Sequence, residues 1–148
     1  MNARTRLVIG LVGACVVLMG CQQTQASMVS DRPAQVERIP GSDVSRVVLT
    51  ERAAERIGLV TVTVQQVPTP KAGTPSTSVP LAAVVYDRGG ATWVYTVTAP
   101  RTYVRQRVTV ALVAGDLAIL SAGPAPGTEV VTVGAAELLG SEYGVEGQ

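Results

Sequence analysis

Histidine is absent from all 148 residues, and so is phenylalanine. Without histidine the chain lacks the side chain that most often moves protons near neutral pH and most often binds transition metals. Cysteine is scarce as well, with only two residues. Cys15 lies inside an apolar N-terminal run, so a chain that loses this run keeps one thiol. A single thiol makes no intramolecular disulfide and no cysteine-based metal or redox centre. Neither charge sign is in excess: twelve basic and eleven acidic side chains leave a net charge of +1. With no charge block either, nothing drives binding to nucleic acid. The carboxylates are scattered, and no spacing forces two of them into one site. Asp87 and Asp116 fall at predicted turns, where aspartate caps its own backbone. Glu129 begins a strand and Glu137 a helical turn. No metal site, cofactor or catalytic residue is expected, and the protein reads as non-enzymatic. Aromatic residues are few, one tryptophan and four tyrosines. The core must therefore come from valine, leucine, alanine and isoleucine, and valine favours strands.

What is present begins with an address. Arg4 and Arg6 precede residues 7–18 (LVIGLVGACVVL), and Gly20 then Cys21 close the apolar run. A basic start, an apolar stretch and a small residue before cysteine read as a bacterial lipoprotein signal peptide. The apolar stretch, about twelve residues at roughly 1.5 Å each, is short for a hydrocarbon core of about 30 Å. On this reading residues 1–20 are removed and Cys21 carries the lipid, anchoring the domain to a membrane on the extracytoplasmic side of the cell envelope. An uncleaved anchor, or an ordinary secretory cut near Ala26 and Ser27, are the alternatives. Gln22 does not fix which membrane holds the anchor.

The remainder divides by composition. Residues 22–43 are polar, contain Pro33 and Pro40, and read as a flexible tether. Residues 44–67 read as strand, helix, strand. Thr50 is the candidate N-cap of a two-turn helix at 51–57, Gly58 its stop, and 59–67 a strand with Val60, Val62 and Val64 buried. Residues 68–78 (PTPKAGTPSTS) form a second linker. From 79 to 139 the pattern is nearly all strand. The predicted strands are 79–86, 91–98, 103–113, 117–121 and 128–133, with turns at 87–90, 99–102 and 115–116 and a rigid GPAPG loop at 123–127. The strand at 103–113 is expected to turn Val104, Val108, Val110 and Leu112 inward and Arg105, Arg107 and Thr109 outward. Residues 134–139 read as one helical turn and 140–148 as a frayed tail. The expected fold is mainly β: a small antiparallel sheet or barrel-like module with one short helix near residues 51–57, packed as one sheet or as two lobes.

Neither glycine-rich turn has the Lys-Ser/Thr pattern that cradles phosphate, so both read as turn punctuation. Arg88, Arg101, Arg105 and Arg107 suggest a basic edge. It is either a solvated face that discourages strand-to-strand aggregation or a contact for acidic headgroups or a partner's acidic rim. Trp93 and Tyr95 are expected in or near the core.

The order of these elements resembles a family. Val79 and Pro80, Ala83 and Val84, Trp93-Val94-Tyr95, Arg107 and Val108, Gly123, Gly127, Glu129-Val130-Val131, Gly134 and Leu138 are similar to the C-terminal, membrane-proximal region of periplasmic adaptor subunits, the HlyD-like membrane fusion proteins of efflux systems. Residues 48–64 resemble the opening strand of such adaptors. Full adaptors place a lipoyl-like domain and a long helical hairpin between these two segments. Here only residues 68–78 lie between them, and no heptad pattern occurs. The resemblance implies a reduced adaptor that assists export by contacting an inner-membrane transporter, and possible homo-oligomers, since adaptors of the family form rings. The competing readings are a stand-alone envelope lipoprotein with a binding or structural role, and a remnant without function.

Overall fold

A computed structural model describes residues 32–68 and 76–145. The signal segment, Cys21, the first part of the tether, residues 69–75 and residues 146–148 lie outside the described residues. In chain order the elements are β1 (Ala34–Arg38), β2 (Ser45–Leu49), α1 (Glu51–Ile57), β3 (Val60–Thr63), β4 (Gln65–Val67) and β5 (Ser76–Pro80). There follow a 3-10 turn (Leu81–Ala83), β6 (Val85–Tyr86), β7 (Thr92–Ala99), β8 (Thr102–Arg107), β9 (Thr109–Ala114), β10 (Leu117–Ala122), β11 (Glu129–Val133) and α2 (Ala135–Val145). The fold is mainly β, as expected, and the strands divide between two antiparallel sheets. A seven-stranded sheet runs β1-β2-β8-β7-β11-β3 with β6 on β7, and a four-stranded sheet runs β4-β5-β10-β9.

Two expected strands are each cut by a buried valine. The stretch 59–67 divides at Val64 into β3 of the larger sheet and β4 of the smaller. The stretch 103–113 divides at Val108 into β8 and β9 in the same way. At each break the backbone leaves one ladder and finds partners elsewhere. Val64 donates its N–H to Thr128 O at 2.8 Å and accepts from Gly127 N–H at 3.0 Å. Val108 donates to Thr92 O at 3.0 Å, and its carbonyl accepts from the Thr92 hydroxyl at 2.7 Å. Both valines are corners at which a strand changes sheets without stranding its polar groups.

The corners shift the alternation of buried and exposed residues. Val60, expected inside, is exposed at a register shift opposite Val133, while Val64 and half-buried Val62 face the inter-sheet cluster as expected. Arg105 was expected outside and is buried, together with Tyr103 on the same face of β8. A strict period of two across a corner assigns the wrong face to one half.

The larger sheet is covered on both faces. Trp93, Tyr95, Tyr103 and Val131 pack with Ala53 of α1 and with Ala135 and Leu138 of α2. On the opposite face, Val94 and Val130 meet Val64, Val79, Val108, Ala118 and Leu120 between the sheets. Packing here is close: a Cβ on Gly123 would lie 3.0 Å from Leu120 Cδ1 and 3.1 Å from Val108 Cγ1.

Local signals at α1 behave as the sequence suggests. The Thr50 hydroxyl accepts from Ala53 N–H at 3.2 Å, and Gly58 closes the helix at φ 62°. Three segments extend further than the sequence indicates. Within the expected tether, Ala34–Arg38 forms β1, fully paired with β2 from Ala34 opposite Leu49 to Arg38 opposite Ser45. Its two half-buried apolar positions, Ala34 and Val36, are too few to mark a strand without its partner. Of the expected linker, the last three residues, 76–78, belong to strand β5 (Ser76–Pro80). The expected frayed tail continues α2 to Val145, because Glu142 is fully buried against the sheet.

Candidate functional site

The side chains of greatest chemical interest meet under α2. Antiparallel pairing of β7 with β8 sets Tyr95 opposite Arg105 and Trp93 opposite Arg107. Two aromatic rings and two guanidiniums thereby share the face on which α2 lies. From α2, Leu138 and Glu142, four residues and about one turn apart, point into the same face.

Glu142 is the centre of the arrangement. Its Oε2 accepts the Tyr95 hydroxyl proton at 2.6 Å. Its Oε1 accepts from Arg105 Nε at 2.9 Å and from Ser45 N–H at 2.9 Å. The ion pair is sealed, with side-chain exposures of 8% for Arg105 and 0% for Glu142. Arg105 further donates from one terminal nitrogen to Asp43 O at 3.0 Å and from the other to the Tyr143 hydroxyl at 3.4 Å. A charge taken from water is tolerated only when partners saturate it, and here they do. Among the described residues no buried side-chain nitrogen or oxygen lacks a partner.

A cation–aromatic stack runs through the same place. Arg88 lies 4.6 Å from the Tyr143 ring centre, Arg105 5.6 Å from Tyr143 and 4.5 Å from Trp93, and Arg107 5.8 Å from Trp93. Trp93 is fixed from its other side, donating Nε1–H to Asp87 Oδ2 at 2.9 Å. Asp87 Oδ1 meanwhile accepts from Gly89 and Ala91 N–H, both at 2.8 Å, so the expected turn aspartate also orients the tryptophan.

Titration behaviour follows from these contacts. Burial and the Glu142 carboxylate push the Tyr95 hydroxyl far above its ordinary value. Burial opposes the charge of Arg105, but the adjacent Glu142 outweighs it and holds the guanidinium above its usual range. Hydrogen bonds from Trp93, Ala91 and Gly89, with the charge of Arg105, hold the Asp87 carboxyl below its usual range.

The chemistry available is recognition by charge and stacking. The Glu142 carboxylate is engaged by three donors of the protein itself. Arg88 and Arg107 are exposed and stacked, and they form no ion pair among the described residues.

Of the residues picked out in sequence, Trp93 and Tyr95 are buried in the core, as expected. Arg88, Arg105 and Arg107 join the stack, while exposed Arg101 stands apart in the β7–β8 turn with φ 56°. Asp116 is a turn residue whose carbonyl accepts Leu81 N–H at 2.8 Å. Glu129 and Glu137 are exposed. Glu142 and Tyr143 went unrecognised, because residues 140–148 read as a tail. The helical spacing of Leu138 and Glu142 was the available signal.

Among the described residues no helix is long and apolar enough to cross a membrane. No family model matches the chain. No curated protein matches it either.

Proposed function

We propose that this is a lipid-anchored, non-enzymatic protein, a reduced relative of periplasmic adaptors that assists export by contacting an inner-membrane transporter. One observation carries the reading. The two segments that resemble an adaptor, and that full adaptors separate by other domains, here join in one body. β2 pairs with β8, β3 with β11 and β4 with β5. Cys21, at the end of the signal-like segment, supplies the anchor, and the tether lets the module reach a membrane-embedded partner. Arg88 and Arg107, held by their aromatic neighbours, face an acidic rim on that partner. Stacking fixes their side chains before contact and so lowers the entropy lost on binding.

The test is recovery of the tagged protein from gently crosslinked, solubilised membranes. A transporter should come with it, and Arg88→Glu with Arg107→Glu should reduce its yield severalfold. Recovery of the protein alone overturns the reading in favour of a stand-alone envelope lipoprotein. Metabolic labelling that places no lipid on Cys21 overturns the anchor.

A further inference from the structure

The three donors to Glu142 all belong to the larger sheet: Ser45 N–H on β2, the Tyr95 hydroxyl on β7 and Arg105 Nε on β8. Besides the contacts of Arg105 with Tyr143 on α2, each has contacts that do not involve that helix. Arg105 is tied to the Asp43 carbonyl and stacks on Trp93, which is itself fixed by Asp87. Ser45 and Tyr95 are held by strand pairing to β1 and β8. A receptor for one carboxylate is therefore built by the sheet, and Glu142 is its occupant.

The helix that delivers this carboxylate is weaker than it needs to be. Gly140 and Gly144 interrupt α2, yet a Cβ at either would meet no atom within 4 Å. Neither has the positive φ that would require glycine. Each weakens a helix roughly fivefold relative to alanine. The site is thus filled from a helix of low intrinsic propensity. Lifting α2 would leave Arg105 without its anion, beside two exposed guanidiniums, and the exposed face would be basic around Arg105 and apolar where Ala135 and Leu138 had packed on Val47, Leu49 and Val131.

We infer that Ser45, Tyr95 and Arg105 form a carboxylate receptor, that α2 is its displaceable resident ligand, and that an acidic peptide segment of a partner protein takes its place. Charge complementarity selects that occupant, because the vacated face carries Arg88, Arg105 and Arg107 against Asp87, which is engaged by Trp93, and Asp43, whose carbonyl holds Arg105. The inference goes beyond the export reading and does not depend on it.

Two measurements on the full chain in detergent test it. In hydrogen exchange, the amides of α2 should exchange at least tenfold faster than those of β7 and β8. Gly140→Ala with Gly144→Ala should slow α2 alone, by about twentyfold. In the second, a fluorescent peptide AAELLGSEYGV should bind the Glu142→Ala chain at least tenfold more tightly than it binds wild type. The same peptide with glutamine in place of its second glutamate should not bind. Exchange of α2 at the rate of the sheet overturns the displaceable helix, and does so whether or not the Glu142→Ala chain folds. Equal binding of the two peptides overturns the carboxylate receptor.

Discussion

The two faces of the larger sheet are built on opposite principles. Between the sheets the buried cluster is aliphatic throughout, from Val64 and Val79 to Leu120 and Val130. Under the helices the cluster adds Trp93, Tyr95 and Tyr103 to its aliphatic side chains, and a sealed ion pair, Arg105 with Glu142, lies on the same face of the sheet. Apolar packing is non-directional and tolerates some rearrangement if volume is kept. A buried ion pair adds little net stability when complete, yet it admits one arrangement only, because any other leaves a charge unpaired. The aliphatic face therefore holds the two sheets together, and the other face ties α2 to the larger sheet through both apolar contacts and the ion pair. A protein with so few aromatic residues places Trp93, Tyr95 and Tyr103 together on that second face.

The sharpest way to break this contrast is to remove one partner of the ion pair. Glu142→Ala should cost about 3–5 kcal/mol in chemical denaturation, because Arg105 and Tyr95 are left buried without their acceptor. The loss should be concentrated at α2, with hydrogen exchange of β5 and β10 little changed. Uniform loss across both sheets would show that the two faces are one cooperative unit.

On the aliphatic face, Leu120→Ala should cost about 2–4 kcal/mol through lost burial and a residual cavity. Exchange should rise across β5 and β10 first, leaving α2 protected. The reverse order would erase the distinction between the faces.

The smallest effect is a pH dependence confined to the charged face. The Tyr95 pKa is raised above its ordinary value of 10.0 in the folded protein. Its contribution is fully present below about pH 10, and is lost as pH rises because the unfolded chain gives up the proton first. The denaturation midpoint of wild type should therefore fall more steeply above about pH 10 than that of Tyr95→Phe. Tyr95→Phe itself should cost about 1.5–3 kcal/mol at neutral pH, the worth of a hydrogen bond to a charged group. Parallel alkaline curves would remove Tyr95 from this account.

Some of this contrast was legible without coordinates, and the reason differs by residue. The cap at Thr50, the stop at Gly58 and the turn at Asp87 are local, each satisfied by atoms within four residues. Trp93 and Tyr95 were placed on one face by simple alternation within a single strand. Arg105 lies on the face opposite to the one alternation predicts, because the alternation breaks at Val108, where the chain changes sheets. β1 was missed because its five residues carry two apolar positions and need β2 to make a strand.

The sequence by itself determined the mainly β class, the absence of histidine and the turns, since composition and short-range backbone preferences act without long-range contacts. Only the tertiary structure decided where strands change sheets and that Glu142, ninety-seven residues from Ser45 along the chain, closes the site. The physical reason is that a charge is worth burying only at the spot where its partners converge. That spot exists only once β2, β7 and β8 lie side by side.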